Sequence, residues 1–178
     1  MTYPIQLTQG DITRQNTQAI VNAANSSLLG GGGVDGAIHH AAGPQFLQQC
    51  KRLVAKQGPC PTGHAVITTA GNLPAQYVIH TVGPVYRDGL HNEPQLLRNA
   101  YTNSLQLAQQ HHIKTIAFPS ISTGAYRFPI PKAALIALTA VKDYLDRHNH
   151  FQLIRFVLFT PNDLTAYQNA YDALINHP

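Results

Sequence analysis

Short, mostly apolar runs recur along the chain and are separated by turn-forming residues. The runs at 19–23 and 153–159 are rich in Ile, Val, Leu and Phe, which is typical of strands covered on both faces of a sheet. Pro4, directly before the first run, favours an edge position or a strand start. The pattern predicts strands over residues 5–8, 19–23, 65–69, 77–82, 115–119 and 153–159.

Between these runs, apolar residues recur at the three- and four-residue spacing of amphipathic helices. Two of the helices begin near Pro94 and Pro131, consistent with the preference for proline in the first helical turn. Their predicted buried faces are Leu97, Tyr101, Leu105 and Ala108, and Ala134, Leu138, Val141 and Leu145. Three further helices are predicted over residues 34–42, 44–56 and 161–175.

Strands that alternate with helices to the end of the chain predict the α/β class, with one sheet covered by helices on both faces. No internal repeat, linker or low-complexity segment interrupts the alternation, so we expect a single domain over residues 1–178. In such folds ligands bind outside the carboxyl ends of the strands. The loops that follow Ala23, Pro119 and Phe159 are therefore the first candidates for a binding site.

The composition changes this picture little. The formal net charge of the 178-residue chain is +4, and its basic residues are dispersed, which favours simple solubility over a strongly anionic partner. Without a basic stripe or an aromatic RNA motif, nucleic-acid binding is not expected. Cys50 and Cys60 fit neither a disulfide framework nor a zinc site, and the ten histidines show no zinc-type spacing. With no membrane-length apolar run and no signal region, we expect a cytoplasmic protein that needs no metal and no cofactor.

The glycine-rich segment 30–33 is the first candidate for chemistry. Residues 31–36, Gly-Gly-Gly-Val-Asp-Gly, match the dinucleotide fingerprint, but a tight strand-to-helix join and an acidic residue about 20 positions further on are both missing. A nicotinamide site is therefore not favoured. Glycines still allow backbone amides to approach an anion closely, and the helix that follows adds its positive end. A flexible loop without a ligand is the alternative.

Polar residues flank these glycines, and a second loop has a similar composition. Asn25 follows a predicted strand, and Asp35 lies at the start of a predicted helix, where it could simply cap that helix. Residues 120–126, Ser-Ile-Ser-Thr-Gly-Ala-Tyr, expose amides and hydroxyls that can hold phosphate oxygens. Loops of Ser, Thr and Gly are also common turns, so this segment alone does not decide between the two interpretations.

Taken together and in order, the motifs resemble those of the macrodomains of the MacroD type, closest to the bacterial O-acetyl-ADP-ribose deacetylases. The motifs are Gly-Asp-Ile-Thr at 10–13, Ile-Val-Asn-Ala-Ala-Asn at 20–25, four glycines followed by Val-Asp-Gly-Ala-Ile-His at 30–39, Cys-Pro-Thr-Gly-His-Ala-Val-Ile-Thr at 60–68, His-Thr-Val-Gly-Pro at 80–84 and the loop 120–126. The resemblance implies a three-layer α/β/α fold around a mixed, mainly parallel sheet. It also implies an ADP-ribose crevice at the strand ends.

The resemblance assigns roles residue by residue. Asp11 would accept a hydrogen bond from the adenine amino group, the Ile12 amide would contact the ring, and Phe159 would lie beside it. Asn25 and Asp35 would face the distal ribose as the catalytic pair. The pyrophosphate would lie between two loops, Gly31, Gly32, Gly33 and Val34 in the first, and Ser122, Thr123, Gly124, Ala125 and Tyr126 in the second. His40 and Arg127 depart from the family pattern, which usually has Arg and Gly there.

The implied activity is hydrolysis of esters on the distal ribose, both O-acetyl-ADP-ribose and mono-ADP-ribose attached to protein Asp or Glu. Asp35 would orient or deprotonate the attacking water. Activation of that water by a phosphate of the substrate is the rival mechanism, because a carboxylate is a weak base at neutral pH. Two other functions remain open: a non-catalytic reader of ADP-ribosylated proteins, and an interaction protein that associates with RNA or a ribonuclease.

Overall fold

A computed structural model describes residues 2–175, and its elements follow the predicted alternation of strands and helices. The strands are β1 Ile5–Gln9, β2 Ala19–Ala23, β3 Ala65–Thr69, β4 Tyr77–Thr81, β5 Thr115–Phe118 and β6 Leu153–Leu158. The helices are α1 Gly33–Ala42, α2 Pro44–Gln57, α3 Glu93–Gln110, α4 Ile130–Leu145 and α5 Pro161–Ile175. A short 3-10 turn at Ile12–Arg14 follows β1, and the apolar pattern did not predict it.

The six strands form one sheet in the order β1-β6-β5-β2-β4-β3. All neighbouring strands are parallel except β3, which pairs antiparallel with β4. The prediction of a mixed, mainly parallel sheet is therefore confirmed. β1 lies at an edge, as Pro4 indicates, and the apolar strands β2 and β6 lie inside the sheet. All of the parallel strands end on the same side of the sheet, where the predicted binding loops meet.

Helices cover the two faces of this sheet and bury a separate apolar core on each. Ile20 of β2 packs with Ile38 of α1 and Phe46 of α2 on one face. Its neighbour Val21 packs on the other face, in the core that contains Leu97 of α3 and the inner sides of α4 and α5. Alternating side chains on each strand feed the two cores, so the three-layer α/β/α arrangement is confirmed.

Proline and glycine set the helix boundaries. Pro44 is the first residue of α2. Pro94 and Pro131 are each the second residue of their helix, so α3 and α4 begin one residue before the prolines that were predicted to open them. Gly43, with φ of 85°, separates α1 from α2, a conformation that costs glycine little. Within residues 2–175, no helix combines the length and the apolar character needed to cross a membrane.

Candidate functional site

A crevice runs along the carboxyl ends of β2, β5 and β6. It consists of two adjoining cavities of about 340 and 390 Å³, each within the usual size of ligand pockets. Both cavities are lined by the start of α1 and by the loop that follows β5, sharing Gly33, Val34, Ser120 and Gly124. An elongated ligand can therefore lie along both of them without a break.

The structure brings every predicted site residue to this crevice. The first cavity, which we call the inner cavity, contains Asn25, Gly31, Gly32, Gly33, Val34, Asp35, Ser122, Gly124, Ala125 and Tyr126. The second, the outer cavity, contains Asp11, Ile12, Thr123 and Phe159. The assignment of the inner cavity to the distal ribose and of the outer cavity to adenine stays a prediction. The individual roles of these residues toward a ligand stay predictions.

The glycine loop leads directly into α1. Gly32 is the residue before the helix and has no side chain to cap it, so the first amides of α1 are not taken by a capping side chain. Gly33 and Val34, at the start of this helix, line the inner cavity, where a helix start favours an anion. An added Cβ at Gly31 would lie 3.3 Å from both Nδ2 of Asn25 and Oδ2 of Asp35. The absence of a side chain there leaves space for a ligand next to both groups.

The loop that follows β5 forms the opposite wall. It is closed by hydrogen bonds from the Phe128 amide to the Ser122 carbonyl and from the Arg127 amide to the Gly124 carbonyl. Tyr126 is tied in turn to the segment after β4, because the Tyr86 amide donates to its carbonyl at 2.8 Å. Ser122 has φ of 66°, and its buried hydroxyl finds no hydrogen-bond partner within residues 2–175. The loop is thus fixed by its own backbone, and this hydroxyl packs against Gly83, where an added Cβ would overlap it.

Asp35 is the buried acid of the inner cavity. Its side chain lies in the first turn of α1 and only 4% of the residue is exposed. Oδ1 accepts a hydrogen bond of 2.8 Å from Nδ2 of Asn22, whereas Oδ2 has no partner in the described part of the chain. These contacts do not include a bond to the helix amides, so the alternative that Asp35 merely caps α1 is not supported.

Two histidines lie on the side of Asp35 that faces away from the cavity, His39 next to it and His80 connected through Asn22. Nε2 of His39, one turn further along α1, lies 3.4 Å from Oδ1 of Asp35 without the geometry of a hydrogen bond. Asn22 also contacts Nδ1 of His80 at 3.2 Å, and Nε2 of His80 lies 2.9 Å from Oγ1 of Thr68. The sequence interpretation assigned neither histidine a role at the site. The four-residue spacing of Asp35 and His39 on one helix was a signal for their proximity, but the contact to His80 crosses the sheet and leaves no local signal.

Asn25 stabilises the glycine loop in addition to lining the cavity. Its Nδ2 donates to the Gly30 carbonyl at 3.0 Å, and its Oδ1 accepts from the Ser27 hydroxyl at 2.6 Å. Nδ2 carries a second proton, which remains for a ligand next to Gly31. Asn25 therefore serves the loop geometry and the cavity at once.

Asp11 and Phe159 lie at the outer cavity. Oδ1 of Asp11 accepts from both the amide and the hydroxyl of Thr13, and the bond from that hydroxyl is the main cause that lowers the pKa of Asp11. Asp11 thus caps the 3-10 turn that follows β1, and its second oxygen, Oδ2, lies 3.8 Å from Nε of the exposed Arg14. Phe159 lies just beyond the end of β6 and is 78% exposed. Asp163 of α5 also lines this cavity, and the sequence did not indicate it.

The two departures from the family pattern lie at the surface. His40 is exposed on α1, and its side chain diverges from that of its neighbour His39, as adjacent residues on a helix must. Arg127 is exposed beyond Tyr126 and has φ of 61°, a conformation that glycine adopts at lower cost. Neither residue lines the inner or the outer cavity.

Within residues 2–175, Asp88, His91 and Glu93 are the side chains that bring three atoms of metal-ligand type within 4.8 Å of one another. The Glu93 carboxylate accepts hydrogen bonds from the amides of Arg87, Asp88, Gly89 and His91. Burial acts to raise the pKa of Glu93, but hydrogen bonds from backbone amides, first its own and then those of Arg87, His91 and Asp88, lower it to about 2. Glu93 thus closes the segment between β4 and α3, and its oxygens are already used by the backbone.

Comparison with known proteins agrees with this geometry. The macro domain family model matches residues 21–137. An O-acetyl-ADP-ribose deacetylase of Escherichia fergusonii is 60% identical over 163 residues, with 92% of each chain covered. A variant of the Oceanobacillus iheyensis macrodomain, solved with ADPR, is 44% identical with a TM-score of 0.92, covering 96% of this chain and 92% of its own. The Trypanosoma brucei macrodomain in complex with ADP-ribose is 39% identical with a TM-score of 0.86, covering 94% and 69%. The chain therefore belongs to the macro domain family.

Proposed function

We propose that this protein binds ADP-ribose and hydrolyses acyl esters on its distal ribose, with O-acetyl-ADP-ribose as a substrate. The observation that carries the proposal is the unpartnered Oδ2 of Asp35, which is buried at the inner cavity beside the amide of Asn25. An unsatisfied buried carboxylate oxygen is costly, and its position in a binding crevice is typical of a functional group. The deacetylase names of relatives with 53–60% identity support the same activity.

In the proposed reaction, the glycine loop and the loop 120–126 hold the pyrophosphate between them. Asp35 orients a water molecule and accepts its proton as the water oxygen attacks the acyl carbon. The bond between that carbon and the ribose oxygen breaks, and the ribose oxygen takes up a proton. The acid and ADP-ribose leave. The same chemistry extends the proposal to mono-ADP-ribose esters on protein Asp or Glu, because the ester there lies on the same ribose.

The experiment measures ADP-ribose binding by calorimetry and ester hydrolysis by chromatography. The substrates are O-acetyl-ADP-ribose and a glutamate-linked mono-ADP-ribosylated protein. Asp35→Ala and Asp35→Asn test the carboxylate. Asp146→Asn is the matched control. Asp146 is an exposed acid that directly follows α4 and forms an ion pair with Lys142 in the last turn of that helix.

We expect hydrolysis by the wild type and the control, and a loss of about a hundredfold or more in both Asp35 variants. If Asp35→Asn retained most of the turnover, a phosphate of the substrate rather than Asp35 would activate the water. Binding of ADP-ribose without any hydrolysis would replace the proposal by a reader function. If the wild type neither bound ADP-ribose nor hydrolysed the ester, the result would favour the alternative of an interaction protein that associates with RNA or a ribonuclease.

A further inference from the structure

A chain of buried hydrogen bonds runs from Asp35 away from the crevice and through three strands. It begins with Asn22 of β2, whose Nδ2 lies 2.8 Å from Oδ1 of Asp35. The same nitrogen lies 3.2 Å from Nδ1 of His80 on β4. Nε2 of His80 then lies 2.9 Å from Oγ1 of Thr68 on β3. All four residues are buried, so the chain links the candidate catalytic acid to the far edge of the sheet.

The chemistry of the groups fixes the direction of each hydrogen bond. An amide nitrogen carries two protons and accepts none, so Asn22 donates one proton to Asp35 and the other to Nδ1 of His80. Nδ1 must then be the unprotonated nitrogen of the ring, and Nε2 carries the proton that it donates to Thr68. Turning the Asn22 amide round would place its oxygen against the Asp35 carboxylate, where two acceptors repel.

His80 is well suited to remain the acceptor in this chain. His80 is fully buried, and its ring stacks on the ring of Phe46 with the two centroids 5.3 Å apart. Burial, with a smaller contribution from the charge of the nearby His39, lowers the pKa of His80 to about 3. The ring is therefore neutral at ordinary pH, with Nδ1 accepting from Asn22 and the Thr68 hydroxyl serving as the acceptor for the proton on Nε2.

The consequence for Asp35 is that one oxygen is held and the other is free. Asn22 holds Oδ1 on the side of the sheet, and Oδ2 is left beside Gly31 at the inner cavity without a partner in residues 2–175. If the Asn22 amide rotated, Asp35 would lose its hydrogen bond and its carboxylate would turn. The position of Oδ2 thus depends on His80 and Thr68, although neither residue lines the crevice.

We propose that His80 and Thr68 are positioning residues for the hydrolysis, which hold the Asn22 amide so that Oδ2 of Asp35 faces the attacking water. The inference rests on the proposed function, because it assigns these residues to the same reaction. It goes beyond that function by extending the catalytic machinery to β3 and β4. Their substitution should therefore lower kcat and leave the affinity for ADP-ribose unchanged, since the binding loops are not altered.

The first test replaces the hydroxyl of Thr68. Thr68→Val keeps the shape of the side chain and removes the acceptor for Nε2, so we expect kcat to fall about tenfold with an unchanged ADP-ribose Kd. Thr68→Ser keeps the hydroxyl and should restore most of the wild-type kcat. Thr69→Val is the matched control, because Thr69 is the next residue on the same strand, is exposed, and donates to Gln49 of α2 rather than to the buried chain.

The second test addresses the ring of His80 directly. The ¹⁵N chemical shifts of the histidine rings, measured on the full chain by NMR, distinguish the Nε2–H form from the Nδ1–H form without any substrate. We expect the Nε2–H form in the wild type and in Thr68→Ser, and a mixture of the two forms in Thr68→Val. His80→Asn places an acceptor oxygen near the position of Nδ1, so it should retain more kcat than His80→Phe, which offers none.

These readouts separate failure of this inference from failure of the proposed function. A protein that hydrolyses the ester but shows the Nδ1–H form at His80, or an unchanged kcat in Thr68→Val, would overturn the positioning role. So would parallel losses of kcat and ADP-ribose affinity in Thr68→Val, which indicate general damage to the fold. A wild type without hydrolysis would overturn the proposed function, and with it the positioning role, whatever form the ring adopts.

Discussion

Gly36, the fourth residue of α1, offers a sharp test of how the glycine loop is held. A Cβ added there would lie 2.5 Å from the carbonyl oxygen of Gly31, a backbone atom. Because Cβ atoms essentially never approach closer than 3.0 Å, Gly36→Ala must displace the loop by at least about half an ångström. The loop lines the inner cavity, so the displacement reaches the binding site directly.

The size of the effect follows from the hydrogen bonds at stake. A charge-assisted bond from a loop amide to a phosphate oxygen contributes about 1.5–3 kcal/mol. Losing one such bond corresponds to a rise of about ten- to a hundredfold in the ADP-ribose Kd. Global stability should change little, since alanine favours the helix by about 1 kcal/mol relative to glycine and offsets part of the strain.

The assay is calorimetric titration with ADP-ribose, accompanied by thermal unfolding of each variant. Gly58→Ala is the control, because Gly58 follows α2, lines neither cavity, and its added Cβ would meet nothing within 4 Å, although its φ of 82° carries some strain. We expect an unchanged ADP-ribose affinity for Gly58→Ala and a clear loss for Gly36→Ala. Wild-type affinity in Gly36→Ala would refute the argument that the Gly31 carbonyl sets the position of the loop.

Three further predictions concern other parts of the molecule. Phe159→Ala should weaken ADP-ribose binding about tenfold, the usual contribution of a stacked aromatic, whereas Phe159→Tyr should not; equal affinities by titration would exclude stacking on Phe159. The lowered pKa of Glu93, about 2 against an ordinary 4.5, stabilises the fold above pH 4.5 and is lost as the pH falls toward 2. Urea midpoints of Glu93→Gln should therefore vary less than those of the wild type between pH 5 and pH 2, and identical profiles would contradict the role of Glu93. Burial raises the pKa of Cys50 and Cys60 to about 11, so a thiol reagent at about pH 8 should label neither residue before unfolding and both afterwards; rapid labelling of the folded protein would contradict this.

Local patterns were sufficient for most of the fold. β2 and β3 begin and end at the predicted residues, because their apolar and β-branched residues are bounded by clear turns. The final strand is one residue shorter than predicted, since Phe159 is apolar but lies outside the sheet. Apolar character alone cannot distinguish the last residue of a strand from an exposed aromatic at a crevice. The expectation of a single domain stays a prediction.

In the candidate site, too, some residues could be predicted from local sequence motifs and others could not. Asn25, Asp35 and the two loops are recognisable because each lies in a contiguous motif. Asn22 lies in one of those motifs too, but its role depends on His80 and Thr68, which are 58 and 46 positions further along the chain. Strand order brings these three side chains together, and no local spacing encodes it.

The sheet separates two apolar cores, and the walls of the crevice belong to different ones. The glycine loop is continuous with α1, which packs in the core of the first face, whereas Ile121 and Phe128, in and beside the opposite wall, are buried in the core of the second. A nucleotide held by both walls would therefore link the two helical layers and oppose their separation. The resistance of the whole chain to heat and proteolysis would then rise with the concentration of that nucleotide, which would couple the lifetime of the protein to the supply of its own ligand.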